Sequence, residues 1–248
     1  MSKTVAIIQA RMGSTRLPEK VLMDIGEKPM LWHVHERAGR ASLLDEVVIA
    51  TSTESADDEV AAFCADQGIQ YVRGSEADVL DRYYQTAVEM DADTVVRLTA
   101  DCPFLSPSVV DRVVRKYEAA DCEYISNTIE YTHPDGLDVE VFDMEALETT
   151  WQEATEPRER EHVTLYMRES EAFQSKNVEN VLNMSAYDFV EEDMIPRWTV
   201  DYPEDIEFIR AVYERLAGDG HWVFDQQSVL ELLERTPALC NINEDRFT

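Results

Sequence analysis

The residues best equipped for chemistry lie near the start of the chain, in the run QARMGSTRLPEKVL (9–22). Arginine can hold two phosphate oxygens at once, and lysine supplies a compact positive charge. A glycine lets a ligand approach the backbone, and neighbouring hydroxyl groups add hydrogen-bond donors. The candidate phosphate-binding residues of this loop are Arg11, Gly13, Ser14, Thr15, Arg16 and Lys20. The loop directly follows an apolar run, and ligands of open parallel sheets bind beyond the carboxyl ends of the strands.

This basic loop is an exception in a strongly acidic chain. The 248 residues include 51 acidic and 22 basic side chains, and the formal net charge is −29. Residues 1–22 nevertheless hold four basic residues and a single acidic one, Glu19. A polyanionic ligand is therefore repelled by most of the molecule and attracted to this loop. Because the spacing matches neither GxxxxGK(S/T) nor GxGxxG, a solvated basic loop that balances nearby carboxylates stays open as an alternative.

Three near-continuous apolar runs predict the strands that position the loop. They are TVAIIQA (4–10), EVVIATS (46–52) and TVVRLTA (94–100), and such runs are typical of parallel strands buried on both faces. A short strand is expected at 70–72, and helical patterns alternate with the strands at 29–40, 55–68, 76–91 and after Ser106-Pro107. This alternation predicts an α/β fold with a doubly wound, mostly parallel sheet.

After about residue 120 the pattern changes. The runs CEYISN (122–127) and LDVEVF (137–142) predict strands, the second of them mixed or antiparallel because its apolar residues alternate. Further helices are expected at 144–154, 159–170, 203–218 and 225–235, with a strand at RWTVD (197–201). Since no repeat or Gly/Pro-rich linker divides the chain, we expect a single domain over 1–248 with a helical excursion around 143–195.

The composition excludes several classes of protein. Dispersed carboxylates, with five lysines against 17 arginines, indicate adaptation to a salt-rich, halophilic cytoplasm, although an ordinary acidic protein stays an alternative. Such a surface argues against nucleic acid or an anionic membrane as a partner. The chain has no apolar run long enough to cross a bilayer and no signal-peptide pattern at its start. Its four scattered cysteines indicate reduced thiols, so we expect a cytoplasmic location.

Six segments of the chain resemble the CMP-sugar synthetases, the cytidylyltransferases that activate 3-deoxy-octulosonate and nonulosonate sugars. The resemblance is strongest to the branch named for the spore-coat polysaccharide biosynthesis protein F. The segments are QARMGSTRLPEKVL (9–22), YVRGSEADVLDRYY (71–84), VVRLTADCPFLSP (95–107), PDGLDVEVF (134–142), EREHVT (159–164) and TVDYPEDIEFIRAVY (199–213). Six segments in the same order, over most of the chain, are far more specific than one loop.

The resemblance implies a fold and a reaction. The fold is a single domain of the nucleotide-diphospho-sugar transferase (GT-A-like) type. The reaction is attack of a sugar hydroxyl on the α-phosphate of CTP, which gives a CMP-sugar and pyrophosphate and depends on Mg²⁺. Phosphoryl transfer of this kind relies on positioning and on neutralising phosphate charge. The family also allows a homodimer, with the 143–195 excursion as a candidate contact.

The resemblance also assigns roles to individual residues. Lys20, Arg11 and Asp101 become the catalytic candidates, and Asp101 and Asp201 the metal ligands. Each aspartate follows a predicted strand, although an aspartate at that place is often only a turn former or helix cap. Candidate nucleotide contacts outside the basic residues of the loop are the backbone near Ala10 and the side chains of Arg73, Ser75 and Arg82.

For several residues the sequence allows a structural role as well as a functional one. Asp138 and Glu140 lie on one face of LDVEVF and are candidates for holding sugar hydroxyls, but a solvated acidic strand face has the same pattern. Arg82 is equally compatible with an ion pair on its own helix. His162 lies where it can reach the site or a partner subunit. Glu19 stands where the family often has glycine, so its charge either points away as a helix cap or weakens triphosphate binding.

The sequence leaves three functions open. The leading one is the CMP-sugar synthetase just described, an enzyme. A second keeps the fold and changes the reaction, to a nucleotidyltransferase with another base or to a glycosyltransferase. The run TADCP holds a single aspartate and not the DxD of such glycosyltransferases, which disfavours that reaction. A third is a non-catalytic nucleotide-binding module, against which the joint presence of the basic loop and both aspartates argues.

Overall fold

The chain forms an α/β fold in the computed structural model, which describes residues 2–190, 194–218 and 222–243. Its strands are β1 (Thr4–Gln9), β2 (Asp24–Ile25), β3 (Lys28–Pro29), β4 (Glu46–Ser52), β5 (Tyr71–Gly74), β6 (Thr94–Thr99), β7 (Tyr124–Ser126), β8 (Glu140–Asp143) and β9 (Ser175–Asn177). In the described part, seven of them form one sheet in the order β5-β4-β1-β6-β8-β7-β9, and β2 pairs with β3 in a separate hairpin.

The sheet is parallel except at β8. The pairs β5–β4, β4–β1, β1–β6 and β7–β9 are parallel, whereas β8 is antiparallel to both of its neighbours. The expected doubly wound, mostly parallel sheet is thereby confirmed, as is the antiparallel strand expected from the alternation in LDVEVF. Because β8 is reversed, its first residue lies at the same edge of the sheet as the last residues of β1 and β6.

Helices cover both faces of the sheet. They are α1 (Met30–Ala38), α2 (Asp58–Gln67), α3 (Val79–Glu89), α4 (Pro107–Glu118), α5 (Met144–Glu153), α6 (Pro157–Glu161), α7 (Leu165–Glu169), α8 (Pro203–Leu216) and α9 (Gln226–Arg235). Successive β1 residues point to opposite faces. Ala6 and Ile8 pack in one core with α1, α2 and α4, while Val5 and Ile7 pack in a second core with α3 and α5. A third core joins α8, α9 and the β2–β3 hairpin.

The second half of the chain differs from expectation in three places. The strand predicted at 197–201 is wrong, because Trp198 and Val200 donate their backbone N–H groups to loop residues Asp135 and Asp101, and the segment makes only an isolated bridge. The helix expected at 159–170 is interrupted, since α6 ends at Glu161 and α7 begins at Leu165. The 143–195 excursion is not purely helical either, because it contributes β9 to the sheet. Residues 191–193 of this excursion lie outside the described part.

One edge of the sheet collects the chain segments that matter for function. The basic loop leaves the end of β1, and Ala100-Asp101 leaves the end of β6. The segment before α8 reaches the same edge, because Val200 N donates to the Asp101 carbonyl at 2.9 Å. No helix in the described residues is long and apolar enough to cross a membrane. A dimer contact within 143–195 stays a prediction.

Candidate functional site

A cavity of about 350 Å³ opens at the carboxyl ends of β1 and β6. Ten of the predicted site residues line it, namely Ala10, Arg11, Gly13, Ser14, Thr15, Arg16, Lys20, Arg82, Asp101 and Asp201. They come from four separate stretches of sequence. The fold therefore brings the basic loop and the two predicted metal ligands to one place: the loop and Asp101 follow the neighbouring strands β1 and β6, and Asp201 reaches them through the hydrogen bond from Val200 N to the Asp101 carbonyl.

The basic loop has a defined conformation in the free chain. Ser14 and Glu19 both donate their backbone N–H groups to the Met12 carbonyl, at 2.8 and 3.2 Å. Met12 N donates in turn to the Asp57 carboxylate at 2.7 Å, and Asp57 also accepts from the Ser52 hydroxyl. Asp57 is only 2 % exposed, so a buried carboxylate from the segment after β4 holds the start of the loop. Sequence reasoning did not identify Asp57.

Lys20 joins the two aspartates. Its ammonium group donates to Asp101 Oδ2 at 2.8 Å, to Asp201 Oδ1 at 2.9 Å and to the Val200 carbonyl at 2.7 Å. Burial alone would lower the pKa of Lys20, but the charges and hydrogen bonds of Asp101 and Asp201 outweigh it and raise that pKa. Lys20 is therefore charged at neutral pH, and all three N–H donors of an ammonium group are used on protein oxygens.

Asp201 is surrounded by positive charge. Besides Lys20, its carboxylate pairs with Arg16 at 3.1 Å and with Arg197 at 2.7 Å. Burial would raise the pKa of Asp201, but these three cations lower it. Arg16 also donates to the hydroxyl of Tyr202 at 3.2 Å, which ties the basic loop to the segment that leads into α8. The two sides of the cavity are thus held together by ion pairs.

The oxygens around the Lys20 ammonium group fit a divalent cation. Two carboxylates and a carbonyl converge on one point, and Mg²⁺ in phosphate sites is held by one or two carboxylates plus phosphate oxygens and water. Within the described ranges, no group of three or more His, Cys, Asp or Glu side chains is placed to hold a metal ion alone. The donor set therefore suits a cation that arrives together with a phosphate ligand.

Comparison with known proteins identifies the family. A sequence model described as cytidylyltransferase matches residues 5–232. The chain belongs to the cytidylyltransferase family. It is accordingly a nucleotidyltransferase enzyme, as the resemblance implied. It is 34 % identical, over 96 % of both chains, to the spore coat polysaccharide biosynthesis protein SpsF of Bacillus subtilis. It is 32 % identical to the uncharacterized protein MJ1063 of Methanocaldococcus jannaschii, over 98 % of this chain and 95 % of that one.

Solved structures support the same assignment. A cytidylyltransferase from Leptospira borgpetersenii superposes with a TM-score of 0.86 at 29 % identity, covering 96 % of this chain and 97 % of the other. A CMP:2-keto-3-deoxy-manno-octonic acid synthetase complexed with CTP superposes with a TM-score of 0.62 at 20 % identity, covering 86 % of this chain and 99 % of the other. At that identity the second likeness shows the fold alone.

The arginine of α3 lies in the wall of the cytidylyltransferase cavity. Arg82 is 1 % exposed and donates to the Ser75 carbonyl at 2.8 Å. Burial lowers its pKa, and the nearby charge of Arg11 adds to that effect. Gly74 makes room for this side chain, because a Cβ atom at Gly74 would lie 2.9 Å from Arg82 Cγ. Arg82 lines the cavity, and among the described residues it forms no helix-face ion pair of the kind considered from the sequence.

Two other predicted nucleotide contacts do not line the cavity. Arg73 donates to the Ser52 and Glu54 carbonyls at 2.8 and 3.1 Å and pairs with Asp58 at 2.8 Å. The Ser75 hydroxyl accepts the backbone N–H of Asp78 at 3.0 Å in the turn before α3. Both side chains thus stabilise the loops behind the cavity in the free protein.

The two predicted sugar ligands also lie outside the cavity lining. Asp138 accepts the backbone N–H of Gly136 at 3.3 Å, and burial followed by the charge of Asp135 raises its pKa to about 7. Glu140 is 5 % exposed and accepts hydrogen bonds from Arg97, Tyr124 and Thr164. With its oxygens already engaged, Glu140 has no direct access to a sugar hydroxyl in this arrangement.

Glu19 lies outside the cavity lining as well. Its side chain is exposed, and its backbone adopts φ 61° at the start of a short 3₁₀ turn over Lys20–Leu22. This left-handed conformation favours glycine. The Glu19 side chain forms no capping hydrogen bond to the turn. The sequence departure therefore has a conformational consequence in addition to its charge.

The structure adds cavity residues that sequence reasoning missed. Gln9 and Thr99 end β1 and β6, and Arg97 lies two residues before the end of β6. Glu161, from the break between α6 and α7, also forms part of the wall, together with His162, which the sequence had already placed within reach of the site. An arginine inside an otherwise apolar strand run was the available signal for Arg97, because a buried charge needs a partner or a ligand.

Proposed function

We propose that this cytidylyltransferase joins CTP to a sugar, most simply a sugar acid, and releases pyrophosphate. A sugar hydroxyl oxygen forms a bond to the α-phosphorus of CTP, the bond from that phosphorus to the bridging oxygen of the β-phosphate breaks, and the hydroxyl proton passes to solvent. Spore-coat polysaccharide and octulosonate names among the relatives support a role in glycan or envelope polysaccharide biosynthesis. The enzyme would act in the cytoplasm, where CTP is available.

One observation carries the proposal. A basic loop and two aspartates line a cavity of about 350 Å³, and Lys20 of the loop forms hydrogen bonds to both Asp101 and Asp201. Phosphoryl transfer needs little covalent chemistry from the protein, but it needs the triphosphate and the nucleophile held in line and the phosphate charge neutralised. A cationic loop beside paired carboxylates in an otherwise acidic molecule supplies both requirements.

The residues divide the work between the ends of the nucleotide. Arg11, Arg16 and Lys20 would bind the triphosphate oxygens, together with the loop backbone. Asp101 and Asp201 would hold Mg²⁺, which when bound neutralises phosphate charge as a Lewis acid. Arg82, a buried arginine in the cavity wall, would contact the base or ribose. The buried Asp57 keeps the loop in register for all these contacts.

Pyrophosphate release is the decisive assay. The purified chain in molar KCl would be given CTP, UTP, GTP or ATP with Mg²⁺, and 3-deoxy-manno-octulosonate or N-acetylneuraminate as acceptor. We expect release with CTP that needs both an acceptor and the metal. Asp101→Asn and Lys20→Ala should each lower turnover at least about a hundredfold, the range lost when one charged contact to a transition state is removed. Lys28→Ala, on the exposed β2–β3 hairpin, is the matched control and should turn over normally.

The outcomes separate the alternatives. Release that prefers another nucleotide would keep the reaction and replace the base. CTP binding by calorimetry with no release from any sugar acid would favour a non-catalytic module or a different acceptor class, which a wider panel of sugars would distinguish. Full activity in Asp101→Asn would remove that residue from the metal site.

A further inference from the structure

Glu140 is a buried carboxylate that accepts hydrogen bonds from three side chains. It begins β8, and its register partner across the sheet is Arg97 on β6. Arg97, the Tyr124 hydroxyl and the Thr164 hydroxyl all donate to its two oxygens. Burial would raise the pKa of Glu140, but Arg97 and the two hydroxyl groups outweigh burial and lower it. Glu140 is therefore a charged, fully engaged group that touches the cavity only through its partners.

The first partner leads to the floor of the cavity. Arg97 lines the cavity and also donates to the Gln9 side-chain oxygen at 3.2 Å. Burial would lower the pKa of Arg97, but Glu140 outweighs this and raises it, so the guanidinium is charged. Its side chain is 15 % exposed. The Glu140 carboxylate thus fixes a charged guanidinium at the bottom of the site, next to the end of β1.

The second partner leads to the wall. Thr164 directly follows Glu161, His162 and Val163, and the first two of these line the cavity. Val163 is fully buried and has φ 52°. A β-branched residue in this region is strained by about 1–3 kcal/mol and persists only where surrounding contacts hold it. The hydrogen bond from the Thr164 hydroxyl to Glu140 is one of those contacts.

We infer that Glu140 is a positioning residue that couples the cavity floor at Arg97 to the cavity wall at His162 through Thr164. This inference rests on the proposed function, because it assigns the part of the wall formed by Glu161 and His162 to the acceptor sugar. In place of binding the sugar itself, Glu140 holds the groups that face it. The break between α6 and α7 is the device that turns Glu161 and His162 toward the cavity.

The test removes one hydroxyl. Thr164→Val keeps the shape and burial of the side chain and deletes its donor to Glu140 together with the longer 3.5 Å contact from the same hydroxyl to the His162 carbonyl, while Thr164→Ser keeps both and serves as the conservative control. The readout is the imidazole Cε1–H resonance of His162, assigned by its loss in His162→Gln. We expect this resonance to move and broaden in Thr164→Val and to keep its wild-type position in Thr164→Ser, with the His33 and His133 resonances unchanged in both.

A kinetic arm distinguishes positioning from a general loss of structure. With 3-deoxy-manno-octulosonate as acceptor, Thr164→Val should raise the acceptor KM about tenfold, the order expected for a slightly misplaced contact, and leave the CTP Kd from calorimetry unchanged. Glu140→Gln should raise the acceptor KM further and again leave the CTP Kd unchanged, since it weakens the interactions of Glu140 with both Arg97 and Thr164. Thr164→Ser should behave as wild type.

Each result decides the inference. An unmoved His162 resonance in Thr164→Val would overturn it, as would a CTP Kd that weakens in parallel with the acceptor KM. Should the wild-type enzyme release no pyrophosphate with any acceptor, the proposed function fails, yet the histidine spectra still report whether Glu140 and Thr164 position the wall.

Discussion

Lys20 occupies the point between Asp101 and Asp201 that a divalent cation would take. Its ammonium group lies 2.8 and 2.9 Å from the two carboxylates and spends its third donor on the Val200 carbonyl. The free enzyme therefore carries its own counter-ion, and Lys20 cannot contact a phosphate until it leaves. We predict that Lys20→Met, which keeps the side chain as far as Cε and removes the charged Nζ atom, lets Mn²⁺ bind in the absence of nucleotide.

The size of the effect follows from how buried the ion pairs are. The side chains of Lys20, Asp101 and Asp201 are 10, 27 and 18 % exposed. Surface pairs are worth about 0.2–1 kcal/mol, whereas removing one partner of a buried pair costs about 3–5 kcal/mol. A value near 2 kcal/mol lies between these limits and corresponds to an affinity for Mn²⁺ about thirtyfold higher. Arg16 and Arg197 remain on Asp201 in the variant, so the gain stays below that of a bare carboxylate pair.

Electron paramagnetic resonance of free Mn²⁺ measures this directly. Wild type, Lys20→Met and the control Lys28→Met would be titrated with Mn²⁺ at one fixed KCl concentration, first without and then with CTP. We expect tighter binding without nucleotide in Lys20→Met alone, and in wild type only once CTP is present. A folded Lys20→Met variant with the Mn²⁺ affinity of wild type would refute the idea that the ammonium group and the metal share one position.

Three further predictions concern stability and the loop. Glu19→Gly should raise Tm because φ 61° favours glycine, and it should raise CTP affinity because a carboxylate leaves the loop. Glu19→Gln removes the charge alone and should raise only the CTP affinity. Equal Tm values for the two variants would show that the backbone at position 19 is not strained. Burial lowers the pKa of His133 to about 4, and Arg112 adds to this. Because the unfolded histidine binds a proton below about 6.5, wild type should lose about 2 kcal/mol relative to His133→Gln between pH 7 and pH 5 in urea titrations, and parallel pH profiles would contradict this. With a net charge of −29, Tm should rise by roughly 5 °C between 0.1 and 2 M KCl in scanning calorimetry, and a flat response would argue against salt adaptation.

The central sheet was predictable because its strands have strong local signals. The β-branched runs of β1, β4 and β6 are apolar at nearly every position, and each is found within one residue of its expected bounds. β9 was missed, because Ser175–Asn177 is a short polar edge strand whose conformation comes from pairing with β7 and not from its own composition. The segment at 197–201 failed in the opposite sense, since its apolar side chains pack in a core without joining a sheet.

The site was predictable where its residues are contiguous and hidden where they are not. The basic loop is recognisable in the sequence by its positive charge, and all of its candidate residues line the cavity. Arg97 is held by a hydrogen bond to Glu140, which is 43 residues away in the sequence. Asp57 accepts a hydrogen bond from the backbone of Met12, which is 45 residues away. Arg73 is the converse case, because this basic residue of a resembling segment donates to backbone carbonyls and does not line the cavity. Pairings of this kind depend on register and loop geometry, which a single sequence does not display.

The ion pairs across the cavity also have a consequence for how the chain folds. The ion pair of Lys20 with Asp201 joins residues 181 apart in the sequence, and the hydrogen bond from Arg16 to the Tyr202 hydroxyl joins residues 186 apart. Because closing such long loops is entropically costly, we expect these contacts to form late, after the sheet between them exists. The site is thus completed only when the segment leading into α8 docks on the N-terminal loop. A triphosphate bound there would contact both the N-terminal loop and the segment leading into α8. Nucleotide should therefore protect α8 from hydrogen exchange and slow unfolding that begins in the C-terminal part of the chain.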